Sequence, residues 1–109
     1  MKLVTPGNKE KVRVFKDYLT NGLTVVVAEQ PHIHSIELGM FVRSGLRFEN
    51  IINNGISHFI EHMLFRGNST FPNSYLLNRE FELIGRDLRA STMSDHTYYG
   101  FSPHISNLN

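Results

Sequence analysis

Hydrophobic residues in this chain change their spacing twice, and the order of these changes restricts the possible folds. Alternating or β-branched runs indicate strands, and apolar residues three or four apart indicate helices. The order is three strands, two helices and two further strands, at residues 12–15, 23–28, 35–42, 55–65, 74–84, 87–92 and 97–101. Consecutive strands joined by short turns pair antiparallel, and helices cover one face of such a sheet. The sequence therefore predicts an α+β fold, a mainly antiparallel sheet with helices packed on one face.

Turn and cap residues set the limits of several of these elements. Asn21-Gly22 lies between the first two runs and is a strong hairpin signal. Residues 44–54 have the composition of a loop. Ser74 is a suitable N-cap for the second helix, and Gly85 is a suitable end for it.

Composition excludes several classes of function. The chain has 109 residues, 40% of them hydrophobic, and a formal net charge of +1, so nothing points to a nucleic-acid partner. No apolar run approaches the roughly 18 residues of a membrane span. The absence of cysteine excludes disulfides, thiolate zinc sites and cysteine nucleophiles, and it fits a cytoplasmic protein. Residues 1–10 lack the apolar centre of a signal peptide and are predicted to be a flexible leader, followed by a domain at 11–109.

The first predicted helix carries the sequence His58-Phe59-Ile60-Glu61-His62. On a helix, residues four apart lie on one face and the residue at the third step lies beside them. Two neutral imidazoles suit Zn²⁺, and a neighbouring carboxylate can take a proton from water. The alternatives are a hydrogen-bonded pair of core histidines and a Glu61 paired with Arg66. Apolar residues at helical spacing predict that this is a buried helix with a polar stripe, namely Ile56, Phe59, Ile60, Met63 and Leu64.

Four stretches of the chain, in order, resemble the amino-terminal part of the pitrilysin-like zinc metallopeptidases, which include insulinase and the mitochondrial processing peptidase. The order H-x-x-E-H is itself the signature of the inverzincins. The four stretches are residues 19–26 (LTNGLTVV), 41–49 (FVRSGLRFE), 53–65 (NNGISHFIEHMLF) and 90–99 (ASTMSDHTYY). Four motifs in the family's order make a chance match improbable.

The resemblance implies a zinc-dependent metalloendopeptidase. In this interpretation His58 and His62 bind Zn²⁺, and Glu61 is the general base that activates water for attack on the peptide bond. The strand Arg89-Ala90-Ser91-Thr92 falls where the family has an edge strand that binds an extended peptide substrate. The family usually has Asn where this chain has Arg89, which bears on substrate preference.

In the family, the third zinc ligand is a glutamate on a later helix. This sequence ends at Asn109, so we expect an amino-terminal portion that is inactive alone, self-associates, and works with further domains or subunits. Glu80 and Glu82 are local alternatives for the third ligand. The rival function is a truncated, non-catalytic homologue that binds a peptide or a partner.

Overall fold

The computed structural model describes residues 2–5 and 12–107. Contacts divide the chain into two compact units, Met1–His34 and Ser35–Asn109. Each unit contains its own three-stranded sheet, and the two are described in turn.

The first unit is an antiparallel sheet of β1 (Lys2–Thr5), β2 (Arg13–Tyr18) and β3 (Thr24–Glu29), in that order. The predicted hairpin between β2 and β3 is confirmed. Strand β1 corrects the leader predicted over residues 1–10, because main-chain pairing with β2 orders this segment without a periodic hydrophobic pattern. Residues 6–10 of that predicted leader lie outside the described residues.

The second unit holds both helices. Its regular elements are β4 (Leu38–Val42), α1 (Ile56–Leu64), α2 (Ser74–Ile84), β5 (Arg89–Thr92) and β6 (Thr97–Phe101). Short 3₁₀ turns lie at Leu46–Phe48, within the predicted loop, and at Ile105–Asn107. The strands pair antiparallel in the order β4-β6-β5, so β4 and β5 are the edges.

Both helices contact the same face of this second sheet. Helix α1 packs against β5. Helix α2 reaches β6 through Phe81, whose ring centroid lies 5.0 Å from that of Phe101. Thr97 lies opposite Thr92 and two pleats before Phe101, so all three side chains share one face. The predicted α+β fold with helices on one face is confirmed.

Helix α2 spans the predicted residues, but its cap differs by one position. Asn73, not Ser74, is the N-cap, and its Oδ1 accepts a hydrogen bond of 2.9 Å from the main-chain N–H of Leu76. Asn73 has the extended backbone that an N-cap requires, whereas Ser74 already belongs to the helix.

Helix α1 is much more exposed than its sequence predicted. Its apolar side chains are all between 45% and 63% exposed, namely Ile56, Phe59, Ile60, Met63 and Leu64. The prediction of a buried helix was wrong, because α1 directs Ser57 and Glu61 towards its neighbours, whereas its five apolar side chains share another face that the described residues leave half-exposed. Among the hydrophobic side chains that the structure describes, the one that is buried is Leu77 of α2.

Candidate metal centre

The two histidines of the H-x-x-E-H sequence face each other on α1. The helix begins after Gly55, whose φ of 88° is in the left-handed region, and His58 and His62 are separated by one turn. Their Nε2 atoms are 2.9 Å apart, and their ring centroids are 4.5 Å apart. Both side chains are exposed, so the alternative of two buried core histidines is wrong. The helix thus presents two imidazole nitrogens at one point on its surface.

This spacing is close to what one zinc ion requires. Two nitrogens about 2.0–2.1 Å from a tetrahedral zinc ion are about 3.3–3.4 Å apart. A small rotation of exposed rings would open the pair from 2.9 Å to that distance. Within residues 2–5 and 12–107, no group of three His, Cys, Asp or Glu side chains could hold a metal, so neither Glu80 nor Glu82 completes the pair. The described residues therefore fit two ligands of a zinc site.

Glu61 is half-buried and points towards the sheet rather than towards Arg66. Its Oε2 accepts a hydrogen bond from the Thr92 hydroxyl at the end of β5. Tyr99 lies near this carboxylate: burial raises the pKa of its phenol, and the negative charge of Glu61 raises it further. The carboxylate proposed as the general base is therefore tied to the strand proposed to bind substrate.

Among the residues that the structure describes, no strand pairs with the outer edge of β5, so this edge is free for an added strand. In an antiparallel pair, residues that exchange hydrogen bonds alternate with residues that do not. The main-chain N–H of Met93 donates to the His96 carbonyl over 2.8 Å, so these two residues form a hydrogen-bonded pair. Counting back along β5, Thr92 and Ala90 then occupy non-hydrogen-bonded positions and Ser91 a hydrogen-bonded one. The main-chain groups of Ala90 and Thr92 consequently point away from β6, whereas Ser91 bonds to it. An extended peptide could pair with Ala90 and Thr92.

Arg89 does not project freely from this strand. Its Nη2 atom lies 2.5 Å from Oε1 of Glu37 and 3.0 Å from the Ser102 hydroxyl. Glu37 also accepts hydrogen bonds from Ser102 and, over 3.0 Å, from the Tyr98 hydroxyl. The hydrogen bond from Ser102, followed by those from Tyr98 and Arg89, lowers the pKa of Glu37. The hydrogen bond that the Tyr98 hydroxyl donates to Glu37 raises the pKa of Tyr98. Local sequence patterns do not indicate this cluster, because its members are up to 65 residues apart.

Glu49 is a second residue that sequence analysis did not single out. Its carboxylate accepts hydrogen bonds from the main-chain N–H groups of Gly55, over 2.6 Å, and Ser57, over 2.9 Å. The bond from Gly55, followed by those from Ser57, lowers the pKa of Glu49. A carboxylate at a helix N-terminus is stabilising, so Glu49 anchors the start of α1. The available signal was its place at the end of the family-like stretch 41–49.

The comparisons with known proteins agree with this arrangement. The family model for insulinase, peptidase family M16, matches residues 24–108. An uncharacterized zinc protease of Rickettsia felis is 37% identical over 91 residues, which cover 84% of this chain and 21% of that protein. The mitochondrial-processing peptidase subunit beta of Saccharomyces cerevisiae is 40% identical over 81 residues, covering 74% and 17%.

A similar fold occurs in a solved structure, the first half of the periplasmic protease PqqL from Escherichia coli. The match has a TM-score of 0.73 and 28% sequence identity, and it covers 93% of this chain and 22% of that chain. This chain therefore spans about a fifth of the length of the relatives it matches. Neither helix in the described part of the chain is long and apolar enough to cross a membrane.

Proposed function

The chain belongs to the insulinase family of peptidases, peptidase family M16, and we propose that it supplies the general base and two metal ligands of a zinc-dependent metalloendopeptidase. The observation that carries the proposal is the pair of Nε2 atoms of His58 and His62, 2.9 Å apart, with Glu61 beside them on α1. Relatives named zinc proteases support zinc as the metal.

Each residue has a defined task in this proposal. His58 and His62 hold the ion as neutral imidazoles. When bound, the zinc ion lowers the pKa of water and polarises the substrate carbonyl. Glu61 accepts the proton of the attacking water and then delivers it to the departing amine nitrogen. The free edge of β5 binds the substrate in an extended conformation through the main chain of Ala90 and Thr92.

We propose that a third protein ligand comes from outside this sequence, as the family resemblance implies. Catalytic zinc sites use three protein ligands and leave one position for water. The 109-residue chain alone should therefore bind zinc weakly and hydrolyse little. The half-exposed apolar side chains of α1, such as Phe59 and Ile60, would associate with further domains, with subunits or with another copy.

One finding favours the rival function for this chain in isolation, that of a non-catalytic peptide- or partner-binding module. No third ligand accompanies His58 and His62 among the residues that the structure describes. Titration of zinc into the purified 109-residue chain, with a mixed peptide library as substrate, distinguishes the two. Tight one-to-one binding with chelator-sensitive cleavage would mean that this sequence contains a complete site.

Metal analysis of the complete gene product tests the ligands. The double variant His58→Ala, His62→Ala should lose zinc, whereas the control His32→Ala, His34→Ala, which alters two exposed histidines of a loop, should retain it. Equal zinc contents in the two double variants would overturn the assignment.

Hydrolysis of the mixed peptide library by variants of the complete gene product tests Glu61 as the general base. Glu61→Gln keeps the shape of the side chain but cannot accept the proton, so it should retain zinc and lose peptide hydrolysis. Asp87→Asn, which alters an exposed carboxylate between α2 and β5, is the control. Near-normal turnover by Glu61→Gln would place the base elsewhere.

A further inference from the structure

The hydrogen bond between Thr92 and Glu61 joins two parts of the proposed site that are 31 residues apart in sequence. Thr92 is the last residue of β5, and its side chain lies on the face of the sheet that α1 covers. Its hydroxyl donates to Oε2 of Glu61. The side chain of Thr92 therefore contacts the proposed general base. Its main-chain groups point instead to the free edge of β5, where the substrate is proposed to bind.

This bond restricts a side chain that is otherwise free to rotate. The terminal torsion of a glutamate has broad, roughly two-fold preferences, so either oxygen could face the metal or the sheet. The Thr92 hydroxyl fixes Oε2 towards the sheet. In the described residues, Oε1 has no hydrogen-bond partner, so this oxygen is the one available to water.

We propose that Thr92 is a positioning residue for Glu61. It holds one carboxylate oxygen so that the other faces the attacking water, and it connects the substrate-binding edge of β5 to the base. The inference rests on the proposed peptidase function. Because the hydroxyl acts on the base, its removal should lower kcat and leave KM nearly unchanged. A misplacement of a catalytic group by about 1 Å can reduce the rate by roughly a hundredfold.

Two variants of the complete gene product test the proposal. Thr92→Val keeps the β-branched shape that suits a strand but lacks the donor, and its kcat should fall roughly tenfold to a hundredfold with unchanged zinc content. Thr92→Ser restores a hydroxyl and should recover most of that loss. Thr24→Val, in an exposed strand position of the first unit, is the matched control. A change confined to KM, or a serine variant no better than valine, would overturn the proposal.

A measurement without metal separates this proposal from the peptidase function. Thermal unfolding of the metal-free protein, with Thr92→Val, Glu61→Ala and the double variant, should give non-additive shifts in Tm, because either change breaks the same bond. Additive shifts would show that the contact does not form and would overturn the proposal. If wild-type protein hydrolyses no peptide, the peptidase function fails while the cycle still tests the contact. If wild type and Thr92→Val hydrolyse peptide equally, the positioning role fails alone.

Discussion

Replacement of Gly45 by alanine should destabilise the second unit more than replacement of any exposed turn glycine. Gly45 has φ 146° and ψ 177°, a conformation used almost only by glycine. A Cβ there would lie 2.4 Å from the Met93 carbonyl oxygen and 2.8 Å from that of Ser94, and main-chain atoms cannot move aside as a flexible side chain can. The clash falls on the segment that joins β5 to β6.

The magnitude follows from the backbone conformation and the bonds at this contact. The conformational strain is about 1–3 kcal/mol. Relief of the clash separates two hydrogen bonds, Leu46 N–H to Met93 O (3.3 Å) and Arg47 N–H to Ser94 O (2.8 Å), each worth about 1 kcal/mol. We therefore expect Gly45→Ala to lower the free energy of unfolding by roughly 3–5 kcal/mol.

Gly22→Ala is the control. Gly22 has φ 85°, but a Cβ there meets no atom within 4 Å, so only the backbone strain of roughly 1–2 kcal/mol applies. Urea unfolding of the complete gene product, with midpoints and slopes compared, measures both variants. If Gly45→Ala cost no more than Gly22→Ala, the reasoning from the Met93 contact would be refuted.

Two further predictions concern the helix cap and the acid limb of stability. Asn73→Ala removes the acceptor for the Leu76 N–H and should lower the free energy of unfolding by about 1 kcal/mol, while Asn73→Asp should be nearly neutral. If urea unfolding showed that the two variants lose equal free energy of unfolding, Asn73 would not be the N-cap. Glu37 has a lowered pKa in the folded state, so its contribution is present above its unfolded value near 4.5 and is lost as the pH falls through the folded value. Glu37→Gln should therefore make Tm fall less steeply as the pH is lowered below 4.5. If Tm fell equally steeply in wild type and in this variant, the cluster of Glu37 with Arg89 and Ser102 would not form.

Local patterns were enough to predict most of the regular elements. Asn21-Gly22 specified a hairpin because few residues adopt the conformation that its turn requires, and Gly22 has φ 85°. Helix α2 was predicted over its observed span because its apolar residues repeat at helical spacing. Strand β1 was missed, since its order comes from pairing with β2 rather than from its own sequence. Local spacing also could not show how little of α1 the rest of the chain covers.

The site was predictable only where it is local in sequence. One helical turn separates His58 from His62, so the spacing alone brought them together. The partner of Glu61 lies 31 residues away, and Arg89 meets Glu37 across 52 residues. Such contacts depend on strand register and on the placement of helices, which a single sequence does not specify.

Helix α1 shows why residues outside H-x-x-E-H matter for the chemistry of that sequence. A nine-residue helix is too short to be stable alone, and this one buries little of its apolar surface. Two polar contacts hold it instead, from Glu49 at its N-terminus and from Thr92 to Glu61. Glu49 lies in the family-like stretch 41–49 and Thr92 in the stretch 90–99, and Gly45 meets Met93 where these two stretches touch. The stretches that carry the family resemblance in this unit therefore form one connected support for the helix, and a variant that separates them should displace Glu61 without altering either histidine.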